Sequence, residues 1–182
     1  MNRLLFAALV VALAPSALAQ PDPPMSTSPS ILATLPADLT DAERAVAETI
    51  EADGIHVVHF WAPWCDNSIA ELRAGWYEAV EQHPDVTFTF VTAWNDGESG
   101  REAMTRFGLP ERVAEVTQPD FGPSDDKEQR RRRFLGLPMT WIPATWVFRN
   151  NGELATAFNY GEIDMDQLAR AIEGARSSWP HD

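Results

Sequence analysis

The sequence of 182 residues contains a single cysteine, Cys65. One cysteine excludes a disulfide within the chain, although exported proteins of this size commonly contain such bonds. No group of residues has the spacing of a metal site, and we expect neither a metal nor another cofactor. Because a lone cysteine is most often an inert residue of the core, its neighbours must show whether it has a chemical role.

Basic residues are scarce relative to acidic ones. Lysine occurs once, at Lys127, and 27 Asp and Glu outnumber 14 Lys and Arg, which gives a net charge of −13. Nucleic acids and anionic membranes bind basic surfaces, so we expect neither as a partner. Four of the arginines form a run at residues 130–133, which we interpret as the solvated end of a helix that begins at Ser124.

Long apolar stretches are absent from the sequence apart from one near the N-terminus. Residues 4–14 follow the positive charge of Arg3 and are too few to cross a bilayer as a helix. Ala17-Leu18-Ala19 then has small residues at the spacing of a cleavage site, so residues 1–19 are predicted to be a signal peptide. We therefore expect a periplasmic or secreted protein with no stable membrane insertion after cleavage.

Beyond the signal peptide, the chain has the length of one domain. Residues 20–36 are rich in proline and serine and are predicted to form a flexible leader, followed by a folded domain at residues 37–178. Capping residues and apolar periodicity predict five helices, at residues 40–53, 65–82, 96–107, 124–133 and from 164 onward. Apolar or alternating runs predict strands at residues 56–61, 86–91, 145–148 and 154–158.

The order of these elements predicts how the strands pair. The first two strands are separated by a helix, and such a unit requires a right-handed crossover and a parallel strand pair. The last two strands flank Asn150-Asn151-Gly152, which predicts an antiparallel hairpin. The sequence therefore predicts an α/β protein with a central mixed sheet flanked by helices.

Two segments resemble the active site of thioredoxins. Residues 57–65, with the sequence VVHFWAPWC, are similar to the active-site strand and turn of that family. Residues 141–148, with the sequence WIPATWVF, and the following Asn151-Gly152 are similar to its cis-proline loop and terminal hairpin. The resemblance covers about residues 37–175, and the long stretch between residues 92 and 143 looks like the periplasmic TlpA-like branch. It implies a thioredoxin-like fold with a CxxS site, in which the second cysteine is lost.

The resemblance implies catalytic roles for Cys65, Ser68 and His59. The family's reactive cysteine begins a helix, where unpaired amides and the helix dipole stabilise a thiolate, and Cys65 takes that place. Ser68 replaces the cysteine that resolves the mixed disulfide, and its hydroxyl is able to hydrogen-bond to a Cys65 thiolate. His59 matches a buried aspartate of many thioredoxins. Two interpretations of His59 stay open, a proton-transfer residue and a hydrogen-bonded core histidine.

The resemblance also implies a substrate groove. Pro143 is expected to follow a cis bond, and the backbone at Ile142 to pair with an extended substrate chain as an added strand. Trp64 and Trp141 are expected to line this groove, although ordinary core packing is the alternative for both. Trp146 lies within a predicted strand and is expected to be a core residue.

Three functions are consistent with these residues. In the first, Cys65 acts as a monothiol disulfide oxidoreductase on a protein or peptide thiol or disulfide, and an external reducing thiol completes the cycle. In the second, the chain is a redox-inactive binding module that holds an extended peptide or partner beside the cis-proline loop. In the third, Cys65 is the sulfenic acid-forming residue of a one-cysteine peroxidase.

Overall fold

A computed structural model describes residues 30–122 and 127–177 of the chain. The predicted signal peptide, the first part of the predicted leader, the start of the helix predicted at residues 124–133, and residue 178 lie outside these ranges. Ile31–Thr34, within the predicted leader, form a short 3-10 helix whose Ile31 and Leu32 pack against the core. No helix in the described ranges is long and apolar enough to cross a membrane.

A five-stranded mixed sheet forms the centre of the fold. The sequence predicts a central mixed sheet and four of its strands, but not the strand at residues 114–117. The strands in the described ranges are β1 (Ile55–Trp61), β2 (Val86–Thr92), β3 (Ala114–Thr117), β4 (Arg133–Phe134), β5 (Leu137–Pro138), β6 (Ala144–Phe148) and β7 (Leu154–Phe158). The central sheet has the order β3-β2-β1-β6-β7, while β4 and β5 pair separately. β1 is parallel to β2 and antiparallel to β6, and β6 pairs with β7 in the predicted hairpin.

The central strand β1 is buried on both faces of the sheet. Val57 and Trp61 belong to one core cluster, together with residues of the last helix, and Val58 and Phe60 belong to a second cluster on the opposite face. Strands covered on both faces have nearly continuous apolar sequences rather than an apolar–polar alternation. This explains why residues 57–61 are uniformly apolar except for His59.

Within the part of the chain that the structure describes, five α-helices surround the sheet: α1 (Asp41–Glu51), α2 (Asp66–Arg73), α3 (Trp76–Gln82), α4 (Arg101–Arg106) and α5 (Met165–Arg176). The predicted capping box begins α1, and Asp164 caps α5 as predicted. The single helix predicted at residues 65–82 is instead divided into α2 and α3. Gly75, with a φ of 130°, separates them in a conformation that favours glycine.

The helix predicted at residues 96–107 is shorter than expected and begins only at Arg101. Trp94, Asp96 and Gly97 all have positive φ values, so the chain turns tightly after β2 before α4 can start. This turn places Trp94 next to Trp64, whose indole nitrogen donates a hydrogen bond of 2.7 Å to the Trp94 carbonyl oxygen.

The interpretation of residues 130–133 as a solvated helix end is wrong. Residues 127–129 form a single 3-10 turn, and Arg133 already belongs to the β4–β5 hairpin. Arg131 forms an ion pair of 3.3 Å with the buried carboxylate of Glu43, and its carbonyl oxygen accepts a hydrogen bond from the Trp94 indole. Contacts with residues distant in sequence therefore override the charge order that suggested a helix.

Candidate functional site

Cys65 lies at the N-terminal end of α2, just beyond the carboxyl end of β1. Its amide donates a hydrogen bond of 3.1 Å to the Ala62 carbonyl oxygen, which closes the turn that follows the strand. Its own carbonyl oxygen accepts a bond of 3.0 Å from Ile69, the first bond of the helix. The thiol is only partly buried. The first amides of a helix lack intrahelical hydrogen-bond partners, and Cys65 occupies the position just before those of α2.

The loop before β6 faces this cysteine. The Ile142–Pro143 peptide bond is cis, and the Ile142 carbonyl oxygen lies 3.9 Å from the Cys65 sulfur. The sheet register produces this approach, because Phe60 of β1 is opposite Ala144 of β6. The residues that follow β1 therefore meet the residues that precede β6.

Two tryptophans flank the cysteine on the surface. The Trp64 and Trp141 side chains are 37% and 43% exposed, and the Trp141 ring stacks on Tyr160 with centroids 5.3 Å apart. Between the tryptophans lies an open pocket of about 360 Å³. Its lining consists of Trp64, Cys65, Trp94, Lys127, Arg130, Arg132, Thr140, Trp141 and Ile142. Trp146 is buried in the core, as expected.

Two structural units meet at this pocket. In the first, β1 and β2 are parallel strands joined through α2 and α3; in the second, β6 and β7 form a hairpin followed by α5. Cys65 begins the helix that follows the first strand of one unit, and the cis bond precedes the first strand of the other. The chain has a thioredoxin-like fold.

Comparisons with known proteins yielded similar solved structures. They include dsbF of Mycobacterium tuberculosis, with 22% identity over 71% of this chain and 85% of that chain and a TM-score of 0.49. A DsbF homologue from Corynebacterium diphtheriae has 20% identity over 69% and 74% of the two chains, with a TM-score of 0.48. StoA from Bacillus subtilis has 19% identity over 67% and 85%, with a TM-score of 0.45. No family model and no curated protein matches the chain.

Ser68 lies in the first turn of α2 of this thioredoxin-like fold and is completely buried. Its hydroxyl oxygen accepts a hydrogen bond of 3.4 Å from the Ala62 amide. The side chain thereby ties the start of the helix to the turn that precedes Cys65. Ser68 is thus below the surface of the pocket rather than in its lining, and Pro143 is likewise absent from that lining.

His59 of β1 is also completely buried, and it does not line the pocket. Its Nδ1 atom lies 3.0 Å from the Thr145 hydroxyl oxygen, and its ring lies against the Trp76 and Phe90 rings with centroids 4.6 and 4.7 Å away. Burial lowers the pKa of His59 to about 3. A neutral imidazole with these contacts fits the core interpretation better than proton transfer near neutral pH.

Glu71 is a buried carboxyl group that sequence reasoning missed. Its Oε1 atom lies 3.8 Å from His59 Nδ1 and accepts a hydrogen bond of 3.1 Å from the Trp76 indole. Burial raises the pKa of Glu71 to about 8, so both members of this buried pair are neutral at pH 7. The spacing of Ser68, Glu71 and Leu72 on α2 would have placed Glu71 on the buried face.

Among the described residues, no cluster of three or more His, Cys, Asp or Glu side chains is arranged to hold a metal.

Arg130 is a second residue of the site that sequence reasoning missed. Its guanidinium lies 5.3 Å from the centroid of Trp64 and 5.2 Å from that of Trp94, within the range of cation–π attraction. Asp120 supports the same wall of the pocket, because its carboxyl group accepts a hydrogen bond of 2.7 Å from the Trp94 amide. Burial raises the pKa of Asp120 to about 7.

Proposed function

We propose that this protein is an exported monothiol disulfide oxidoreductase that acts on protein or peptide disulfides through Cys65. The observation that carries the proposal is the position of the Cys65 sulfur at a helix start, 3.9 Å from the Ile142 carbonyl oxygen and in the lining of an open pocket. A thiol in this place is accessible to a substrate because it is only partly buried. Export is proposed from the signal-peptide pattern of residues 1–19.

The proposed reaction is thiol–disulfide exchange in two steps. The Cys65 thiolate attacks one sulfur of a substrate disulfide, forms a mixed disulfide with it, and releases the other sulfur as a thiolate that takes up a proton. An external thiol, ionised in turn, then attacks the substrate sulfur of the mixed disulfide. A disulfide forms between that thiol and the substrate, and the Cys65 thiolate is released.

The second step requires an outside thiol because Ser68 has no sulfur with which to displace the substrate. We propose that Ser68 has a positioning role, since its hydroxyl is bonded to the Ala62 amide in the turn before Cys65. The mixed disulfide should therefore persist until an external thiol arrives.

The pocket walls are proposed to hold the substrate chain. Trp64 and Trp141 present partly exposed rings on either side of Cys65, and rings of this kind bind apolar parts of a chain at low entropic cost. The backbone at Ile142 is proposed to pair with the extended substrate, so that its disulfide is presented to the Cys65 sulfur.

A redox-inactive binding module is the second candidate, favoured by the single observation that Cys65 is the only cysteine. In this case the same groove beside Ile142 and Pro143 holds an extended peptide, but no bond forms with Cys65. The two candidates share the groove and differ only in the chemistry of the sulfur.

Covalent trapping separates the two candidates. Purified mature protein is incubated with a model disulfide peptide at neutral pH without added thiol, and its intact mass is measured with and without a later reductant. We expect an adduct of one peptide half on the wild type, absent from Cys65→Ser and removed by the reductant. A wild type that gains no mass, while binding the peptide reversibly, would establish the binding module instead.

A further inference from the structure

We propose that the pocket beside Cys65 recognises an acidic substrate segment, a peptide with carboxylates next to its cysteine. This inference rests on the proposed function for the chemistry of Cys65, but the recognition that it describes does not require that chemistry. It follows from the charges that line the pocket.

Three cations line the pocket together with Cys65: Lys127, Arg130 and Arg132. Among the described residues that line the pocket none is acidic, although acidic residues outnumber basic ones by 27 to 14 in the whole sequence. The described lining beside the Cys65 sulfur is therefore basic, although the protein as a whole is acidic. Its charge is complementary to carboxylates.

These cations are not used by ion pairs within the described part of the chain. Arg131, from the same run, has its charge balanced by Glu43, whereas no described carboxylate lies within 4.0 Å of the charged groups of Lys127, Arg130 or Arg132. The Arg130 Nε atom donates a hydrogen bond to the Gly122 carbonyl oxygen, which holds the guanidinium over the tryptophans. Lys127 and Arg132 are exposed at the rim of the pocket.

The net charge of −13 repels an acidic partner at long range. This repulsion must be compared with the local attraction by the three cations of the pocket. At physiological ionic strength the screening length is about 8 Å, and charges beyond that distance act weakly. The three cations line the pocket and are therefore within reach of a bound segment, whereas charges farther away than the screening length are attenuated. The local attraction should therefore dominate at physiological salt.

The shape of the pocket favours a peptide over a free anion. Trp64, Trp94, Trp141 and Ile142 form apolar walls, and the stack of Trp141 with the 81% exposed Tyr160 extends them beyond the pocket. Such walls gain free energy only by covering apolar groups of the ligand. A peptide supplies both apolar groups and carboxylates.

The test measures binding without thiol chemistry. Two fluorescent nonapeptides are compared, with serine in place of cysteine and either two glutamates or two glutamines on each side. Affinities are measured by fluorescence anisotropy at 0.15 M salt, for wild type, K127Q/R132Q and the control R44Q/R176Q. The control removes two exposed arginines outside the pocket, so the change in net charge is the same.

We expect the wild type and the control to bind the glutamate peptide about fivefold more tightly than the glutamine peptide, as two rim ion pairs would provide. In K127Q/R132Q this ratio should fall below about two, and in wild type it should fall likewise at 1 M salt. Equal affinity of wild type for both peptides, no measurable binding of either, or an equal loss of the ratio in the control would overturn the proposal.

The proposed function and this inference fail in different ways. If the glutamate peptide is preferred but Cys65 never forms an adduct with its cysteine-containing disulfide form, the recognition stands and the oxidoreductase does not. If adducts form equally fast with acidic and neutral disulfide peptides and binding is also equal, the chemistry stands and the acidic recognition does not.

Discussion

The buried carboxylate of Glu43 accepts a hydrogen bond of 2.9 Å from the backbone amide of Leu135, a residue 92 positions further along the chain. The same side chain accepts a hydrogen bond of 2.8 Å from the Thr40 amide in the capping box. It also forms an ion pair with Arg131. Glu43 thereby joins the start of α1 to the segment that supplies the cations of the pocket.

Replacement of Glu43 by alanine should destabilise the protein. It leaves the buried Leu135 amide without an acceptor and removes half of the capping box, so we expect a loss of about 2–4 kcal/mol in the free energy of unfolding. Urea unfolding measures the loss. The control Glu48→Ala, at an exposed position of the same helix, should change stability by less than about 0.5 kcal/mol. Similar losses in both variants would show that the hydrogen bond between Glu43 and Leu135 contributes little to the free energy of unfolding.

A cysteine at position 68 should give the protein turnover. In Ser68→Cys the new thiol lies one helical turn from Cys65 and is able to attack a mixed disulfide intramolecularly, at a far higher effective concentration than a free thiol. We expect the rate of insulin reduction with dithiothreitol to rise about tenfold or more over wild type. The double variant Cys65→Ser/Ser68→Cys serves as the control and should stay at the background rate. A single variant no faster than wild type would count against a reactive Cys65.

The stability of the protein should depend on the ionisation of Glu71. Its pKa is raised from 4.5 to about 8, so the folded protein keeps a proton that the unfolded chain has already released. The free energy of unfolding should therefore fall as the pH rises from about 4.5 to about 8. The lowered pKa of His59 acts in the opposite sense, with stability lost as the pH falls from 6.5 to about 3.

Glu71→Gln tests this contribution between pH 7 and 8, which lies above the pKa of His59. Asp120, whose pKa is about 7, contributes to the slope in the wild type and in the variant alike, so the difference between the two proteins reports Glu71. Glu71 should add up to ~1.4 kcal/mol per pH unit to the loss of stability in wild type, and the variant should have a correspondingly smaller slope because glutamine does not ionise. Urea unfolding at closely spaced pH values measures the slope. Glu102→Gln, at a side chain that is 91% exposed, should behave as wild type. Equal slopes in all three proteins would place the pKa of Glu71 outside this range.

The mature protein should begin at Gln20, because the small residues Ala17-Leu18-Ala19 follow a short apolar segment. Expression of the full sequence in a bacterium with a periplasm, followed by intact-mass measurement of the periplasmic fraction, checks this boundary. Replacement of Ala19 by arginine should block cleavage, while the same change at Gln20 provides a control just beyond the site. Recovery of protein that still carries Met1 would show that residues 1–19 are retained.

The sequence alone determined four of the five strands of the central sheet and the place of the cysteine, whereas β3 was not predicted. β1, β2, β6 and β7 occur where apolar runs and the Asn150-Asn151-Gly152 turn predict them, because short-range pattern and turn chemistry define a buried strand and a hairpin. The approach of Cys65 to Ile142 follows from two local motifs once those strands pair in register.

Tertiary contacts decided the rest, because charge and helical periodicity do not reveal which partner a side chain meets. Residues 130–133 carry the charge order of a helix end, yet Arg131 pairs with Glu43 and its carbonyl oxygen accepts a hydrogen bond from the Trp94 indole. The Arg130 guanidinium lies over the Trp64 ring. Glu71 and His59 are ionisable groups whose neutral state at pH 7 is caused by burial in the folded core. The basic pocket in an acidic chain likewise exists only after distant segments have packed together.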